Sequence, residues 1–135
     1  MKKLRTAFIS VSALLLVFVL VACNTVDAVG LWENATYRKD TTLGEGSKEV
    51  KIDVVVEDQS ITLTVKTDKA TLGEALFAEG LINNAEFFDV LNGIKADWEK
   101  DNAYWGFYKG EDYMMVGVNE TQISGGESYR FVYTK

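Results

Sequence analysis

Residues 49–66, EVKIDVVVEDQSITLTVK, decide the fold class of this 135-residue chain. Val50, Ile52, Val54 and Val56 fall on one face, polar side chains lie largely on the other, and the same period of two returns from Ile61 to Val65. Alternation over this length is typical of half-buried strands, and the polar turn between the two runs is short enough for a hairpin. The sequence therefore predicts two paired strands that share one buried face.

A short helix is predicted after this hairpin. Thr71 and Glu74 have the spacing of a capping box, and Gly80 is a typical C-terminal stop. The apolar positions between them fall on one helical face: Leu72, Ala75 and Leu76. Residues 71–81 thus predict a helix of roughly nine residues, which is too short to be stable unless it packs on the sheet.

Four more strands are predicted beyond the helix, at residues 87–94, 103–109, 113–118 and 127–134. Turn residues separate them, and Asn92-Gly93 is expected as a bend or bulge within the first. Two strands, one helix and four strands predict an α+β fold with a mostly antiparallel sheet and one short helix.

The chain begins with the pattern of an export signal, which ends at its only cysteine. Three basic residues precede an apolar run, and Leu20-Val21-Ala22-Cys23 closes it. This ending resembles the lipobox of bacterial lipoproteins, which implies a signal peptide at residues 1–22 and a lipid on Cys23. An uncleaved transmembrane anchor is the alternative, although the run is shorter than the roughly 20 apolar residues of a spanning helix.

Removal of residues 1–22 would leave an acidic protein. Three of the 14 basic residues and none of the 20 acidic ones lie in that segment, so 11 basic and 20 acidic residues give a net charge of about −9. Such a charge disfavours nucleic acid as a partner. We expect attachment by lipid to the extracytoplasmic face of a bacterial cell membrane, a tether at residues 23–48 and a domain at residues 49–135. Aromatic residues within the tether leave open whether part of it packs on the domain.

The second half of the domain resembles a known family. Its members share a Trp-containing aromatic strand, a glycine before a short descent, and a Gly-Asp or Gly-Glu turn into a closing Tyr-rich strand. The matching segments are Tyr104-Trp105-Gly106-Phe107-Tyr108-Lys109-Gly110, Met115-Val116-Gly117-Val118, Ile123-Ser124-Gly125-Gly126-Glu127 and Phe131-Val132-Tyr133. From residue 50 to 135 the chain is similar to the C-terminal domain of transcobalamin and intrinsic factor, which bacterial surface proteins also carry.

This resemblance implies a β-grasp-like fold, in which a twisted sheet embraces one helix. It also implies a ligand site on the aromatic hairpin, because the vitamin carriers use the matching hairpin to contact the vitamin. The carriers ligate cobalt through a histidine of a separate helical domain, and this sequence contains no histidine.

The aromatic strand and the loop after it form the candidate site. In a strand, Trp105 and Phe107 share one face while Tyr104 and Tyr108 share the other. Flat rings and adaptable methionines favour a shallow binding surface, although packing alone also enriches sheets in aromatic residues. The predicted ligand-binding residues are Trp105, Phe107, Tyr108, Tyr113, Met114, Met115 and Gly117.

The predicted function is capture of a small cofactor-like ligand, a corrinoid or similar compound, for a membrane transporter. The alternative is a docking module that binds a surface protein through a sheet edge or apolar face and has no small-molecule site. A binder should show a concave pocket bordered by Trp105, Tyr108 and Met115, whereas a docking module should show a flat patch or an open edge.

Catalysis, metal binding and a resident cofactor are not expected. The sequence contains no histidine, which is the commonest general base, and no Ser-x-x-Lys motif. Asp97, Glu99 and Asp101 copy the start of a calcium loop, but Asn102 and Tyr108 occupy the positions that require Gly and Glu. The acidic run is therefore interpreted as a solvated turn.

Replacement of Cys23 by alanine should abolish membrane retention of the chain, because the lipid is expected to supply the attachment. Fractionation of cells that express the wild type and Cys23→Ala measures the retained share. Full retention of the variant would instead indicate an uncleaved anchor.

Overall fold

A computed structural model describes residues 25–135, in which a six-stranded mixed sheet dominates. The strands are β1 Thr41–Gly44, β2 Lys48–Val56, β3 Gln59–Thr67, β4 Val90–Leu91, β5 Ile94–Lys95, β6 Tyr104–Lys109, β7 Asp112–Tyr113 and β8 Ser128–Thr134. The helices are α1 Leu72–Ala78 and α2 Trp98–Asp101, with 3-10 turns at Gly30–Asn34 and Val118–Glu120. The described part of the chain is thus a mixed α/β fold with few helices.

The alternating stretch forms the predicted antiparallel hairpin of β2 and β3. Val56 pairs with Gln59 across the turn, and the register extends to Lys48 opposite Thr67. Glu57 takes a left-handed φ of 59° in this turn. The alternate side chains of both strands are buried on one face: Val50, Ile52, Val54, Val56, Ile61, Leu63 and Val65. The period of two in the sequence therefore identified both the strands and their core face.

Two parallel pairings give the sheet its topology. The strand order is β1-β3-β2-β8-β6-β7. Strand β8 lies parallel to β2, with Ile52 opposite Tyr129, and β1 lies parallel to β3. The other neighbours in the sheet are antiparallel. The sheet is therefore mixed, and β6 and β7 form the edge farthest from β1.

Helix α1 begins as the sequence predicts. The hydroxyl of Thr71 accepts a hydrogen bond from the N–H of Glu74 at 3.3 Å and donates to the Glu74 carboxylate at 3.2 Å. The predicted apolar positions are buried against the sheet: Leu72, Ala75 and Leu76. Gly80 follows the helix with a φ of 70°. The helix is shorter than the predicted 71–81, since regular structure ends at Ala78.

Two of the predicted strands differ in the structure. The predicted strand at 87–94 is instead the small hairpin of β4 and β5, because Asn92 and Gly93 both take positive φ, 54° and 80°, and reverse the chain. The predicted strand at 113–118 ends at Tyr113, and the chain then runs irregularly to the 3-10 turn Val118–Glu120. In both places local turn geometry overrides the apolar pattern.

Residues 25–48 pack on the domain, a point that the sequence left open. Val26 and Trp32 are each 4% exposed and belong to the hydrophobic core. Strand β1 extends the sheet beside β3. The folded domain therefore includes residues that were expected to form a tether, and the boundary expected at residue 49 lies inside it.

The predicted signal peptide and lipidated Cys23 lie outside the described residues. Over residues 25–135, the structure contains no helix that is both long and apolar enough to span a membrane.

A buried asparagine joins the N-terminal segment to the middle of the chain. The side chain of Asn92 accepts from the N–H of Tyr37 at 2.9 Å and donates to the carbonyl oxygen of Tyr37 at 2.9 Å. Its backbone N–H donates to Leu81 at 2.8 Å, and its carbonyl accepts from Thr36 at 2.9 Å. Asn92 is 0% exposed, so these bonds replace all contact with water.

Asn92→Ala should lower the free energy of unfolding by about 2–4 kcal/mol, because it leaves two backbone groups of the half-buried Tyr37 without their partner and puts alanine at positive φ. Asn102→Ala is the matched control, since Asn102 has the same φ of 54° but is exposed. The control should lose only about 1 kcal/mol, the cost of the left-handed conformation. Urea unfolding measures both variants, and equal losses would contradict a role for the amide bonds.

Candidate functional site

Strand β6 presents the two faces that the sequence predicts. Trp105 and Phe107 point inward and are 9% and 8% exposed, whereas Tyr104 is 43% exposed on the other face. The half-buried Tyr108 pairs with Tyr113 of β7 across the strand edge. The inward face of β6 therefore meets the core, and its outward face meets solvent.

An open cleft of about 470 Å³ lies at the sheet edge formed by β6 and β7. Its walls come from residues 86–88, from Trp105 and Phe107, from Tyr113 and Met114, and from residues 116–120. Segments distant in sequence thus converge on one concave surface, and five of its twelve lining residues are aromatic.

The walls of the cleft are fixed by ring contacts with the core. Phe107 stacks on Phe131 with ring centroids 4.9 Å apart and planes 7° apart, and Phe88 meets Phe131 edge-on at 5.8 Å. Trp105 packs edge-on against Tyr133 at 5.6 Å, and its indole N–H donates to the carbonyl oxygen of Ile94 at 3.3 Å. Because Phe107 and Phe88 pack on the buried Phe131, and Trp105 packs on the partly buried Tyr133, these three walls are preformed.

The rim of the cleft is exposed and apolar. Phe87 is 90% exposed, and Val116 is 44% exposed on the facing loop. The side-chain oxygen of Asn84 accepts hydrogen bonds from the N–H groups of Glu86 and Phe87 at 2.9 and 3.3 Å. These bonds hold the backbone of residues 86–87, which form one lip of the cleft; the loop at residues 116–120 forms the other. Large apolar side chains held in water beside a concave surface are typical of binding sites.

Two glycines allow the turn Val118–Glu120 to close one side of the cleft. A Cβ on Gly73 of α1 would lie 3.2 Å from the Cα of Asn119 and 2.6 Å from the carbonyl oxygen of Ala85. A Cβ on Gly117 would lie 2.7 Å from the side-chain oxygen of Asn119. Gly73 therefore lets α1 lie close to both Ala85 and Asn119, and Gly117 leaves room for the Asn119 side chain.

Five of the seven predicted site residues line this cleft, and two do not. Those that line it are Trp105, Phe107, Tyr113, Met114 and Gly117. Tyr108 lies on the outward face of β6, where the guanidinium of Arg130 sits 4.9 Å from its ring centre. Met115 is 92% exposed and projects away from the lining. The pocket expected at Trp105, Tyr108 and Met115 is therefore bordered by only the first of them.

Sequence reasoning missed the lining contributed by residues 86–88 and 118–120. The pair Phe87-Phe88 was interpreted as part of a strand, and Asn119-Glu120 carries no binding motif. Only the folded chain brings these segments opposite β6, so no local pattern identified them.

The charged side chains that line the cleft are acidic, Glu86 and Glu120, and no Lys or Arg lines it. Behind the walls, burial raises the pKa of Tyr133 and of Tyr129 above the usual range for a phenol. Nearby carboxylates raise both values further. Both phenols are therefore neutral at physiological pH, and negative charge is confined to the mouth of the cleft.

Among residues 25–135, no group of three His, Cys, Asp or Glu side chains is placed to hold a metal ion. Glu99 and Asp101 lie within helix α2, and Asp97 is its N-cap. The Asp97 carboxylate accepts a hydrogen bond from the N–H of Lys100 at 3.0 Å.

Phe107→Ala should lower the free energy of unfolding by about 3–5 kcal/mol, because it removes a wall ring that also fills the core. Phe87→Ala should change it by less than about 0.5 kcal/mol, since the side chain is almost fully exposed. Urea denaturation compares the two. A loss below about 1 kcal/mol for Phe107→Ala would contradict the assignment of this wall to the core.

No protein-family model matches the chain, and no curated protein matches it. Among solved structures, it is similar to a "putative metal binding protein" from Ruminococcus gnavus, with a TM-score of 0.60 and 22% identity over 66% of this chain and 98% of that one. It is also similar to haptocorrin in complex with Cbi, with a TM-score of 0.50 and 14% identity over 69% of this chain and 26% of that one. The chain thus spans about a quarter of haptocorrin, and at these identities the likeness shows a shared fold. The resemblance to transcobalamin-like domains is supported at that level.

Proposed function

We propose that the chain is a lipid-anchored, extracytoplasmic binding module that captures a small organic ligand in the cleft at the β6–β7 edge. The observation that carries this proposal is the cleft of about 470 Å³ with preformed aromatic walls. Its volume is within the range of small-molecule sites, which are concave, largely apolar and mostly preformed. Met114 contributes an adaptable surface to the cleft.

A corrinoid or a similar flat compound is the first ligand to test. The fold is shared with a region of haptocorrin, which was solved in complex with Cbi. The core sheet order β3-β2-β8-β6-β7, with α1 between β3 and β6 in the chain, also supports a β-grasp-like fold for the domain. On this proposal, the aromatic walls contact the ligand by stacking and apolar burial rather than through a cobalt-ligating histidine.

The proposed role is non-enzymatic delivery to a membrane transporter. A lipid on Cys23 would hold the domain at the membrane and raise the local concentration of captured ligand near a permease. The strong negative charge of the chain argues against nucleic acid as a partner.

Calorimetric titration of the full chain in phosphatidylcholine nanodiscs with cobalamin tests this proposal, with empty nanodiscs as the blank. We expect saturable binding with a dissociation constant of roughly micromolar or tighter. Met114→Ala and Val116→Ala should each weaken it about tenfold through lost apolar contact area at the mouth.

Tyr104→Ala is the matched control, since Tyr104 is an exposed aromatic residue of β6 on the opposite face. It should bind like the wild type. Loss of binding in all three variants would indicate a general fold defect, and an absence of heat with a broad corrinoid panel would overturn the corrinoid assignment.

The second candidate function is docking to a surface protein. The exposure of Phe87 and Met115, 90% and 92%, favours it, because both side chains extend beyond the cleft and would contact a flat partner. Replacement of Met115 by Ser distinguishes the two functions, because Met115 does not line the cleft. A docking module would lose its partner in pull-downs from membranes, whereas cobalamin binding in the cleft should fall less than about threefold.

A further inference from the structure

The cleft combines aromatic faces with unpaired carboxylates. Phe87, Trp105 and Phe107 each contribute to its lining, and the face of an aromatic ring carries partial negative charge. A cation near such a face is attracted to it, and the attraction grows when water is excluded. Aromatic walls alone would serve neutral and cationic ligands alike, so the charged groups at the mouth decide between them.

Both charged side chains of the lining are acidic. Glu86 lies on one lip beside Phe87, and Glu120 ends the turn on the other side. The ion pairs found in residues 25–135 join Lys95 to Asp89 and Asp97, and Lys109 to Glu127, so none of them involves Glu86 or Glu120. Their charges are therefore available to a ligand.

We infer that the ligand of this cleft is an organic cation: an apolar, flat body that carries a positive charge toward Glu86 and Glu120. This inference rests on the proposed binding function and names the class of compound. The apolar body stacks on Trp105 and Phe107, and the positive charge lies at the mouth between the carboxylates and the exposed rings. An anionic ligand of the same shape meets repulsion from both carboxylates and from the ring faces.

The chain as a whole adds to this selection. Its composition is acidic, with 20 acidic against 14 basic residues, so its field attracts cations over a distance of about one Debye length. That general field acts on every part of the surface. The local effect of Glu86 and Glu120 must therefore be separated from it by a control with the same change in total charge.

Three tricyclic probes that differ mainly in charge test the inference: the aminoacridine cation, neutral acridine and the acridine carboxylate anion. Each is titrated at neutral pH and low salt into the full chain in phosphatidylcholine nanodiscs, and binding is followed by calorimetry. We expect the cation to bind about tenfold more tightly than the neutral probe, and the anion to bind most weakly. Added salt should reduce these differences.

The double variant Glu86→Gln/Glu120→Gln should lose most of the preference for the cation and bind neutral acridine as the wild type does. Glu45→Gln/Glu99→Gln is the matched control, because it removes two exposed carboxylates that do not line the cleft. It should keep the preference, since only the general field changes.

Equal binding of the three probes, or an unchanged preference in Glu86→Gln/Glu120→Gln, would overturn the assignment to organic cations and leave the binding function standing. An equal loss of preference in both double variants would also overturn it, since the general field would then explain the selection. Absence of binding by all three probes would overturn this inference, whereas the binding function itself is decided by the cobalamin titration.

Discussion

The parallel pairing of β2 with β8 is the constraint on which the rest of the structure depends. Strand β2 lies between β3 and β8, and its apolar side chains at Ile52 and Val54 are fully buried. A parallel neighbour cannot follow by a tight turn, so the chain must leave the hairpin, cross the sheet and return. Helix α1, the small hairpin of β4 and β5, and strands β6 and β7 occupy that long connection. The cleft is therefore built from the crossover, and it opens where the returning chain forms the sheet edge.

The sequence predicted those parts of the fold whose determinants are local. The alternation from Val50 to Val65 sets both strands and their core face, and the Thr71 cap starts α1, because pleat and helix geometry act over a few residues. The resemblance to transcobalamin-like domains implied a site on β6, where alternation correctly placed Trp105 and Phe107 inward.

Local sequence patterns did not predict the features that tertiary contacts decide. The packing of Trp32 stayed open because its burial depends on distant segments, and the expected pocket combined Tyr108 with Trp105 although strand geometry puts them on opposite faces. The lining at residues 86–88 and 118–120 arises only when α1 brings these segments together.

On the proposed binding function, stability and recognition depend on the same rings of this domain. The stack of Phe107 on Phe131 and the edge contact of Trp105 with Tyr133 stabilise the core, and Phe107 and Trp105 also line the cleft. Such walls need no ordering when a ligand arrives, which lowers the entropic cost of binding. The charged groups of the cleft are not part of the core. The carboxylates of Glu86 and Glu120 lie at the mouth, where water can solvate them in the absence of a ligand. The site therefore separates shape, set by the core, from charge, set by the surface.

The exposed rim has a consequence for how such a protein can diverge. A change at Phe107 alters the cleft and the core together, so selection for folding restricts it. Phe87, Met115 and Val116 are exposed, and their replacement leaves the buried contacts intact. Descendants of one ancestral domain can therefore exchange their rim residues and acquire new ligands, while the inward-facing aromatic walls change slowly. Related domains would then share a recognisable pattern of inward aromatic residues and differ most at the two lips, and the lips would be the place to look for ligand specificity.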